Sequence, residues 1–298
     1  MVIGFIGLGR MGRPMSSNLV KKGFDLIVYD INLDAVQDLQ RLQARSGTPD
    51  ELAAASDIIV IMLPNSQIVR DVVLGILPHV RRGSLIMDMS TIDPLVTDFL
   101  AAEAAKKGVE FVDAPVGRLA SHADRGESLF MVGASQKNFD RVKPLLEAMG
   151  TTIHHCGDVG AGTRTKLVNN YLAIVSCQTN AEALALAQRF GLDLSKTLEV
   201  LYGTTATNGQ LKIAWPSKVL AGDIDPGFTV DLAHKDLTLI VEAANAAHVP
   251  MSVGAAAREA FNVARSRGFG TKDFSVMVDV LCELAGIPKP RLTYDGKD

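Results

Sequence analysis

The sequence is poor in cysteine, in aromatic residues and in excess charge of either sign. Its 298 residues include three cysteines, 5% aromatic residues, and 30 basic against 33 acidic side chains, which gives a net charge of −3. Three distant cysteines without a C-x-x-C pair argue against a disulfide framework and a zinc site, so we expect no bound metal. The balanced charge and scarce aromatics argue against a nucleic-acid-binding surface, which needs clustered Lys and Arg.

Long apolar runs are missing as well. No stretch approaches the roughly 20 apolar residues of a membrane span, and the strongest local run covers residues 58–63. The start of the chain has no basic leader, and glycines interrupt its apolar run, so it does not resemble a signal peptide. We therefore expect a cytoplasmic protein with neither membrane nor nucleic-acid partners.

The first half of the chain alternates short apolar runs with segments of helical spacing. Apolar runs without polar alternation, separated by helices, are typical of a parallel sheet that helices cover on both faces. The predicted strands are 2–6, 26–29, 58–63, 85–87, 111–112 and 129–132. The predicted helices are 14–22, 33–42, 66–73 and 94–106.

The second half, from about Thr163 onward, is rich in alanine and leucine with helical spacing. We expect Gly191 to end a long first helix as its C-cap and the residues after Pro288 to fray. The predicted helices are 169–190, 195–201, 232–247, 254–267 and 274–285. The pattern predicts an α/β domain, residues 1–162, followed by an all-α domain, residues 163–298.

A glycine-rich turn follows the first predicted strand and opens the first predicted helix. In a G-x-G-x-x-G pattern the first glycine allows a tight turn, the second lets the backbone approach a pyrophosphate, and the third lets helix and strand pack closely. The phosphates then meet unpaired N–H groups at the helix N-terminus. A glycine turn with only a packing role is the alternative. The predicted dinucleotide-binding residues are Gly7, Leu8, Gly9, Arg10, Met11 and Gly12.

Asp30 ends the second predicted strand, a little under ~20 residues after the last of these glycines. A carboxylate there accepts hydrogen bonds from the ribose hydroxyls of the adenosine half and repels a 2′-phosphate. Ile31 and Asn32 follow it, and no Arg does. We therefore predict NAD, used as NADH, in preference to NADP. A solvated turn residue is the alternative for Asp30.

Five further motifs follow in order along the chain. They are MLP at 62–64, DMST at 88–91, DAPVGR at 113–118, GAGTRTKLVNN at 160–170 and FTVDLAHKD at 228–236. With FIGLGRMGRPM near the start, they resemble the β-hydroxyacid dehydrogenase family over nearly the whole chain. The resemblance implies an N-terminal Rossmann domain joined to an all-helical substrate and oligomerisation domain. It also implies reversible hydride transfer between a nicotinamide and a short hydroxyacid or its aldehyde, by a homodimer or homotetramer.

The resemblance assigns the family's catalytic lysine to Lys166 and an asparagine one helical turn later to Asn170. The chemistry agrees, because reducing an aldehyde leaves negative charge on oxygen and a Lys ammonium can donate a proton there. Burial in a cleft would lower the pKa of the lysine toward the working pH. Residues at i, i+3 and i+4 share a helix face, so Lys166, Asn169 and Asn170 line one wall. A surface lysine near a domain boundary is the alternative.

The remaining cofactor contacts are implied by position in the family motifs. Leu63 and Pro64 are expected to flank the cofactor, and Thr91 to reach the nicotinamide side. Lys235 matches a lysine of the C-terminal domain that closes over cofactor and substrate. The alternative for Lys235 is an ion pair with Asp231, one helical turn earlier.

The third motif departs from the family pattern, which reads D-A-P-V-S-G-G in many members. Here Gly117, Arg118 and Leu119 replace the serine and two glycines. An Arg brings a planar, permanently charged fork that can engage two oxygens of an acid. The Gly-Arg motif at this position resembles the motif of one branch of the family. That branch reduces 3-sulfolactaldehyde to 2,3-dihydroxypropane-1-sulfonate with NADH, in sulfoquinovose degradation.

This second resemblance implies a sulfonate site. A sulfonate presents three oxygens, so a carboxylate-sized pocket needs an added donor, which we expect Arg118 to supply. The alternative is an Arg118 side chain that points to solvent or pairs with an acid such as Asp124. The other predicted substrate contacts are Ser90, Gly117, Asn169 and Asn170, with Ser121 as a further candidate donor.

Several alternative functions stay open at this point. Within the family, the alternative is a 3-hydroxyisobutyrate or semialdehyde dehydrogenase that acts on a carboxylate. Outside it, the alternatives are a non-catalytic NAD-binding protein, an imine reductase and an oxidative decarboxylase of phosphosugar acids. Lys166 and Asn170 are both present, which disfavours the first two of these. The third is disfavoured because it would need a larger C-terminal domain and a phosphate-binding basic cluster. His234 and Cys177 are assigned to structure.

Overall fold

The computed structural model describes residues 1–292 of the chain. The chain divides into two compact units, Met1–Leu167 and Val168–Asp298, and the division falls within a single long helix. Within the described residues, no helix is both long and apolar enough to cross a membrane. Each unit has its own architecture.

The first unit alternates strands and helices around one sheet. Its strands are β1 (Val2–Ile6), β2 (Asp25–Tyr29), β3 (Arg45–Ser46), β4 (Ile58–Ile61), β5 (Leu85–Asp88), β6 (Glu110–Asp113), β7 (Val116–Gly117), β8 (Ser128–Gly133) and β9 (Gly150–Gly157). Its helices are α1 (Gly12–Lys21), α2 (Leu33–Arg41), α3 (Pro49–Ala55), α4 (Ser66–Ile76), α5 (Pro94–Lys106), α6 (Ala120–Asp124) and α7 (Gln136–Met149). The sequence did not predict β3, β7 and β9 or helices α3, α6 and α7.

The sheet has the strand order β3-β2-β1-β4-β5-β6-β8-β7, and β9 pairs with β8. Strands β1 to β6 run parallel, whereas β8 is antiparallel to β6 and β7. The chain goes outward from β1 to β3 and then returns to β4 on the other side of β1. This reversal opens a crevice beyond the carboxyl ends of β1 and β4, which is where ligands bind in such sheets.

The central strands are apolar because both of their faces are covered. In β4, Ile58 and Val60 join the core on one face of the sheet, and Ile59 and Ile61 join the core on the other face. Successive side chains of a strand point to opposite faces, so a strand buried on both faces shows no polar alternation. The predicted α/β architecture with a parallel sheet is confirmed.

The second unit is helical, as predicted. Its elements are α8 (Ala161–Arg189, which begins in the first unit), α9 (Leu194–Tyr202), α10 (Val230–Ala246), α11 (Ser252–Ser266) and α12 (Met277–Ala285), with π and 3-10 turns at Gln210–Ala214, Trp215–Ser217, Val219–Ala221 and Phe274–Val276. Helix α8 begins at Ala161, whereas the sequence pattern predicted residue 169. Gly160 and Gly162, next to the predicted domain boundary, lie just before this helix and in its first turn.

The chain after α12 is held more firmly than predicted. The Arg291 guanidinium donates two hydrogen bonds, of 2.8 and 2.6 Å, to the buried carboxylate of Asp279. The backbone N–H of Leu292 donates to the carbonyl of Leu220 at 2.8 Å. The prediction that the chain frays after Pro288 is therefore wrong as far as Leu292, and its remainder lies outside the described residues.

Candidate functional site

The glycine-rich turn lies in the crevice between β1 and β4. Gly7 has a φ of +100°, and a Cβ there would overlap the backbone carbonyl of Met62 at the end of β4. A Cβ at Gly12 would overlap the carbonyl of Gly7, whereas a Cβ at Gly9 would meet no atom within 4 Å. Gly7 and Gly12 are thus required by close packing, and Gly9 faces open space. An open backbone at a helix N-terminus fits the pyrophosphate of a dinucleotide.

The carboxylate of Asp30 lies directly against this turn. Its Oδ2 accepts a hydrogen bond from the N–H of Leu8 at 2.5 Å, and its Oδ1 accepts one from the N–H of Asn32 at 2.7 Å. The side chain therefore joins the end of β2 to the turn after β1. Each carboxylate oxygen has a second lone pair, so Asp30 can also accept from ribose hydroxyls. Arg10 and Met11 lie between Gly9 and the start of α1.

The ends of β4 and β5 are joined by Ser90. The N–H of Leu63 donates to Ser90 Oγ at 2.9 Å, and the N–H of Ser90 donates to Asp88 Oδ1 at 3.0 Å. Ser90 is only 1% exposed, so its hydroxyl organises the edge of the sheet. Pro64 is exposed and Thr91 half-buried at the same edge.

Two buried carboxylates that the sequence reasoning missed lie side by side at this edge. Asp88 and Asp113 are register partners at the ends of β5 and β6. Burial raises the pKa of Asp88 to about 6, against the hydrogen bonds from Ser90, and the neighbouring charge of Asp113 adds to the rise. Burial also raises the pKa of Asp113, against hydrogen bonds from the N–H groups of Gly160 and Thr163. The sequence contained a signal for both residues, because Asp88 begins the DMST motif and Asp113 begins the DAPVGR motif.

Lys166 lies in the part of α8 that belongs to the first unit. Its Nζ donates to the backbone carbonyl of Val116 at 2.7 Å, and the side chain is half-buried. Val116 immediately precedes Gly117 and Arg118, which form the segment where the sequence departs from the family pattern. The structure thus brings Lys166 to that segment.

The Arg118 guanidinium is held by neutral oxygens. Nη1 donates to the carbonyl of Glu127 at 2.6 Å and to Thr151 Oγ1 at 3.0 Å, and Nη2 donates to Thr152 Oγ1 at 3.0 Å. The carboxylate of Glu127 itself pairs with Arg125. Among the described residues, no carboxylate forms an ion pair with Arg118, so its positive charge is not neutralised by a direct partner.

Arg118 also has an unusual backbone conformation. Its φ of +71° lies in the left-handed region, which favours glycine. The family pattern has glycine at this place, so the chain keeps the turn while adding a long side chain. Ser121 lies exposed nearby in sequence, in the short helix α6.

In the second unit, three predicted site residues are linked to one carboxylate, two of them directly and the third through its neighbour. Asn169 Nδ2 donates to Asn170 Oδ1 at 3.0 Å, and Asn170 Nδ2 donates to Asp236 Oδ2 at 2.6 Å. Lys235 Nζ lies 3.0 Å from Asp236 Oδ1. Asp236 is only 2% exposed, so this carboxylate sets the orientation of the Asn170 amide and holds the Lys235 ammonium.

The sequence reasoning did not single out Asp236, although a signal was present. The buried positions of α10 include Ala233, Asp236, Leu237 and Ile240. Their spacing of three and four residues marks the apolar face of a helix. A carboxylate on that face must be paired or neutralised, so its position alone pointed to a polar partner.

The surroundings of Lys235 differ from the predicted alternative. Asp231 accepts a hydrogen bond from Arg265 Nε at 2.7 Å, while Lys235 pairs with Asp236. Arg265 also lies 3.2 Å from His234 Nδ1. Burial and the neighbouring Arg265 charge lower the pKa of His234. His234 therefore lies beside the Asp231–Arg265 ion pair. We keep the prediction that its role is structural.

Cys177 lies in the core of the second unit. Cys177 is buried and its thiol donates to the carbonyl of Phe274 at 3.2 Å. Burial raises the pKa of Cys177 well above its usual range, which keeps it a thiol rather than a reactive thiolate. Within residues 1–292, no cluster of three His, Cys, Asp or Glu side chains is arranged to hold a metal ion.

Both units match known protein families. Residues 2–157 match the profile of the NAD-binding domain of 6-phosphogluconate dehydrogenase. Residues 160–281 match the profile described as NAD-binding of NADP-dependent 3-hydroxyisobutyrate dehydrogenase. Together the two matches cover most of the chain.

Individual relatives are similar over nearly their full length. The chain is 40% identical over 289 residues to the 3-sulfolactaldehyde reductase of Escherichia coli (strain K12), covering 96% of this chain and 97% of that protein. It is 38% identical over 291 residues to the 2-(hydroxymethyl)glutarate dehydrogenase of Eubacterium barkeri, covering 96% of each. A solved structure of Mycobacterium tuberculosis 3-hydroxyisobutyrate dehydrogenase with L-serine has a TM-score of 0.88 at 30% identity, covering 94% and 98% of the two chains.

Proposed function

Since the chain belongs to the β-hydroxyacid dehydrogenase family, which includes the 3-hydroxyisobutyrate dehydrogenases, we propose that it reduces a small anionic aldehyde with NADH. It is a nicotinamide-dependent oxidoreductase acting on aldehyde or hydroxyl groups, as its named relatives are. The substrate that we propose is 3-sulfolactaldehyde, with 2,3-dihydroxypropane-1-sulfonate as the product.

The observation that carries the proposal is the arrangement around residues 116–118. Lys166 Nζ lies 2.7 Å from the carbonyl of Val116, and Arg118 follows two residues later with its charge unneutralised by a carboxylate. The short segment that carries the cationic fork is therefore also contacted by the proton donor, through the carbonyl of Val116. A substrate with an aldehyde and a sulfonate needs both groups. The aldehyde oxygen needs a proton donor, and Arg can bind two of the three sulfonate oxygens at once.

The cofactor would be held by residues already described. The amides of the glycine turn would bind the pyrophosphate, and Asp30 would accept hydrogen bonds from the adenosine ribose. The family positions of Leu63, Pro64, Thr91 and Lys235 assign them to the nicotinamide half. When bound, the nicotinamide supplies or accepts the hydride. We propose NAD rather than NADP, because the Asp30 carboxylate would repel a 2′-phosphate.

Lys166 is the proposed general acid. As negative charge develops on the aldehyde oxygen, the Lys166 ammonium donates a proton to it, and the product is the primary alcohol. In the reverse direction the neutral amine accepts the proton of the hydroxyl group. The carbonyl of Val116 keeps Nζ directed at the segment that carries Arg118. Asn170, oriented by Asp236, is proposed to hold the reacting oxygen or the lysine.

Substrate choice is tested by comparing kcat/KM for 3-sulfolactaldehyde with that for succinic and methylmalonic semialdehydes, followed by NADH absorbance. We expect the sulfonate to have the highest kcat/KM. Arg118→Ala should lower kcat/KM for the sulfonate about 10- to 100-fold, as expected for lost hydrogen bonds to a charged group. Arg125→Ala is the matched control, since Arg125 pairs with Glu127.

A carboxylate substrate is the second candidate. It is favoured by the similarity to 2-(hydroxymethyl)glutarate dehydrogenase and to 3-hydroxyisobutyrate dehydrogenases, whose names specify carboxylic acids. A higher kcat/KM for either semialdehyde would decide for this function. If Arg118→Ala lowers kcat/KM equally for all three substrates, Arg118 does not recognise the sulfonate specifically.

We also propose a homo-oligomer and a cytoplasmic location. Helix α8 is 29 residues long, and its exposed positions include Val168 and Leu172. Exposed apolar residues of this size, repeated along one helix, are typical of protein interfaces. Light scattering on the purified protein would give a mass of two or four chains if this proposal is correct, and of one chain if it is wrong.

A further inference from the structure

Asp113 is fully buried at the end of β6, and the reaction proposed above gives it no role. Its Oδ1 accepts a hydrogen bond from the N–H of Gly160 and its Oδ2 accepts one from the N–H of Thr163, both at 2.6 Å. Thr163 lies in the first turn of α8, where N–H groups have no partner within the helix, and Gly160 immediately precedes that turn. A carboxylate of the sheet therefore caps the helix that carries Lys166, and the sign of its charge suits a helix N-terminus.

The first turn of α8 also lies against the sheet with no side chain between them. A Cβ at Gly162 would overlap the carbonyl of Met131 in β8 and crowd the carbonyl of Asp113. A Cβ at Gly133 would overlap Asp113 Oδ1 itself. Backbone meets backbone on both sides of the carboxylate, so the helix cannot move toward the sheet. Asp113 limits its movement in the other direction.

Residues 113–116 contact α8 at two points, through the Asp113 carboxylate and through the carbonyl of Val116. Asp113 binds Thr163, and Lys166 lies three residues further along the helix. Lys166 Nζ then returns to the carbonyl of Val116, which lies three residues after Asp113. The four groups close a ring of two covalent segments and two hydrogen-bonded contacts. A shift of the first turn would therefore displace Nζ relative to residues 116–118.

We infer that Asp113 is a positioning residue for Lys166: by binding the amide just before α8 and one amide of its first turn, it fixes where α8 starts and so where the ammonium lies. The inference rests on the proposed role of Lys166 as general acid. Proton transfer requires hydrogen-bond distance between the donor and the reacting oxygen. A misplacement of about 1 Å is enough to lower turnover about 100-fold.

A double-mutant cycle separates positioning from general destabilisation. Asp113→Asn keeps the shape of the side chain but presents an amide N–H to one of the two backbone donors, so one hydrogen bond is lost. We expect kcat to fall about 10- to 100-fold, with KM for NADH within about twofold of wild type. In the Lys166→Ala background the same substitution should change kcat by less than about twofold, because the group that it positions is gone.

Asp193→Asn is the matched control. Asp193 caps α9 by accepting from the N–H of Lys196 at 2.8 Å, and no predicted site residue lies in that helix. Asn caps a helix about as well as Asp, so we expect this variant to keep both its thermal stability and the wild-type kcat. If Asp113→Asn does not fold, Thr163→Val takes its place in the cycle. The Thr163 hydroxyl also hydrogen-bonds the Asp113 carboxylate, and valine removes that bond while keeping the side-chain shape.

The outcomes are distinct. Equal reductions of kcat in the wild-type and Lys166→Ala backgrounds would overturn the inference, and so would a folded Asp113→Asn variant with full activity. Full activity of Lys166→Ala alone would instead refute the proposed general acid. A reduction that disappears when Lys166 is absent supports the positioning role.

Discussion

The first unit holds most of its candidate site residues at strand ends and in backbone turns, with Lys166 on α8 as the main exception, whereas the second unit holds them on helix faces around one buried carboxylate. In the first unit, the glycine turn, Asp30 and Ser90 all make hydrogen bonds with backbone N–H groups. In the second, Asn170 and Lys235 depend on the side chain of Asp236. Backbone groups keep their places as long as the sheet is intact, but a side-chain cluster fails when one member is removed.

The largest expected effect lies at Lys166, the last predicted site residue of the first unit. Lys166→Ala removes the proposed proton donor, and kcat should fall about 100- to 10,000-fold, the usual contribution of general acid catalysis. Circular dichroism should be unchanged. Lys107→Ala, at the exposed end of α5, is the control and should keep wild-type turnover. Near-normal kcat in Lys166→Ala would end the assignment.

The next largest effect tests the dependence of the second unit on one carboxylate. Asp236→Ala leaves the Asn170 amide and the Lys235 ammonium without their shared acceptor. We expect kcat/KM to fall about 10- to 100-fold, since a buried donor left without its partner typically loses 1–3 kcal/mol. Asp231→Ala, in the same helix but in a half-exposed pair with Arg265, should change kcat/KM less than about twofold. Equal effects of the two substitutions on kcat/KM would contradict the specific dependence of Asn170 and Lys235 on the Asp236 carboxylate.

A smaller effect is expected where the backbone carries the site. Asp30→Ala removes the proposed ribose acceptor but leaves the amides of the glycine turn in place. KM for NADH should rise about tenfold with little change in kcat, and the preference for NADH over NADPH should narrow. Steady-state kinetics with both cofactors measure this, with Asp34→Ala on α2 as the control. An unchanged cofactor preference would exclude Asp30 from cofactor selection.

The smallest effect on turnover, but a distinct effect on stability, is expected at Asp88. Its pKa is about 6 in the folded protein and about 3.9 in an unfolded chain. Between these values the folded state binds more protons, so wild type loses stability as pH rises from about 4 to about 6. Asp88→Asn does not titrate, and relative to wild type it should gain on the order of 1–3 kcal/mol across that range.

Chemical denaturation of the two proteins at several pH values measures this difference. Asp57→Asn supplies a contrast of opposite sign, because a hydrogen bond from the N–H of Val2 lowers the pKa of Asp57. Relative to wild type, that variant should lose stability as pH rises through the lowered pKa. A flat difference between wild type and Asp88→Asn would show that Asp88 titrates normally.

Much of the first unit was predictable because its signals are local. The buried strands around Ile58–Ile61 carry no polar alternation, and the glycine turn needs only the residues next to it. Short or exposed elements were missed: β3 consists of Arg45 and Ser46, both exposed, and every position of β9 after Gly150 is exposed or half-exposed. Such strands have little apolar surface, so their sequence does not distinguish them from loops.

The start of α8 was misplaced for a different reason. Gly160 and Gly162 lie next to the predicted domain boundary, and glycines disfavour helix, so the sequence did not predict that the helix starts there. In the folded chain Gly162 is required by the close approach of the sheet, and Asp113 caps the helix from 47 residues earlier in the chain. No local pattern contains that contact.

By itself, the sequence determined the α/β and all-α halves, the family, the dinucleotide turn and the identity of Lys166 and Asn170 as candidates, because periodicity and short motifs are properties of neighbouring residues. Only the tertiary structure decided that Asp236 orients Asn170 and that Asp113 holds the helix of Lys166. It also decided that neutral oxygens, and no carboxylate of the described residues, hold the Arg118 guanidinium. Buried charges find partners far along the chain, and their hydrogen bonds exist only once the sheet and helices have brought those partners within 3 Å.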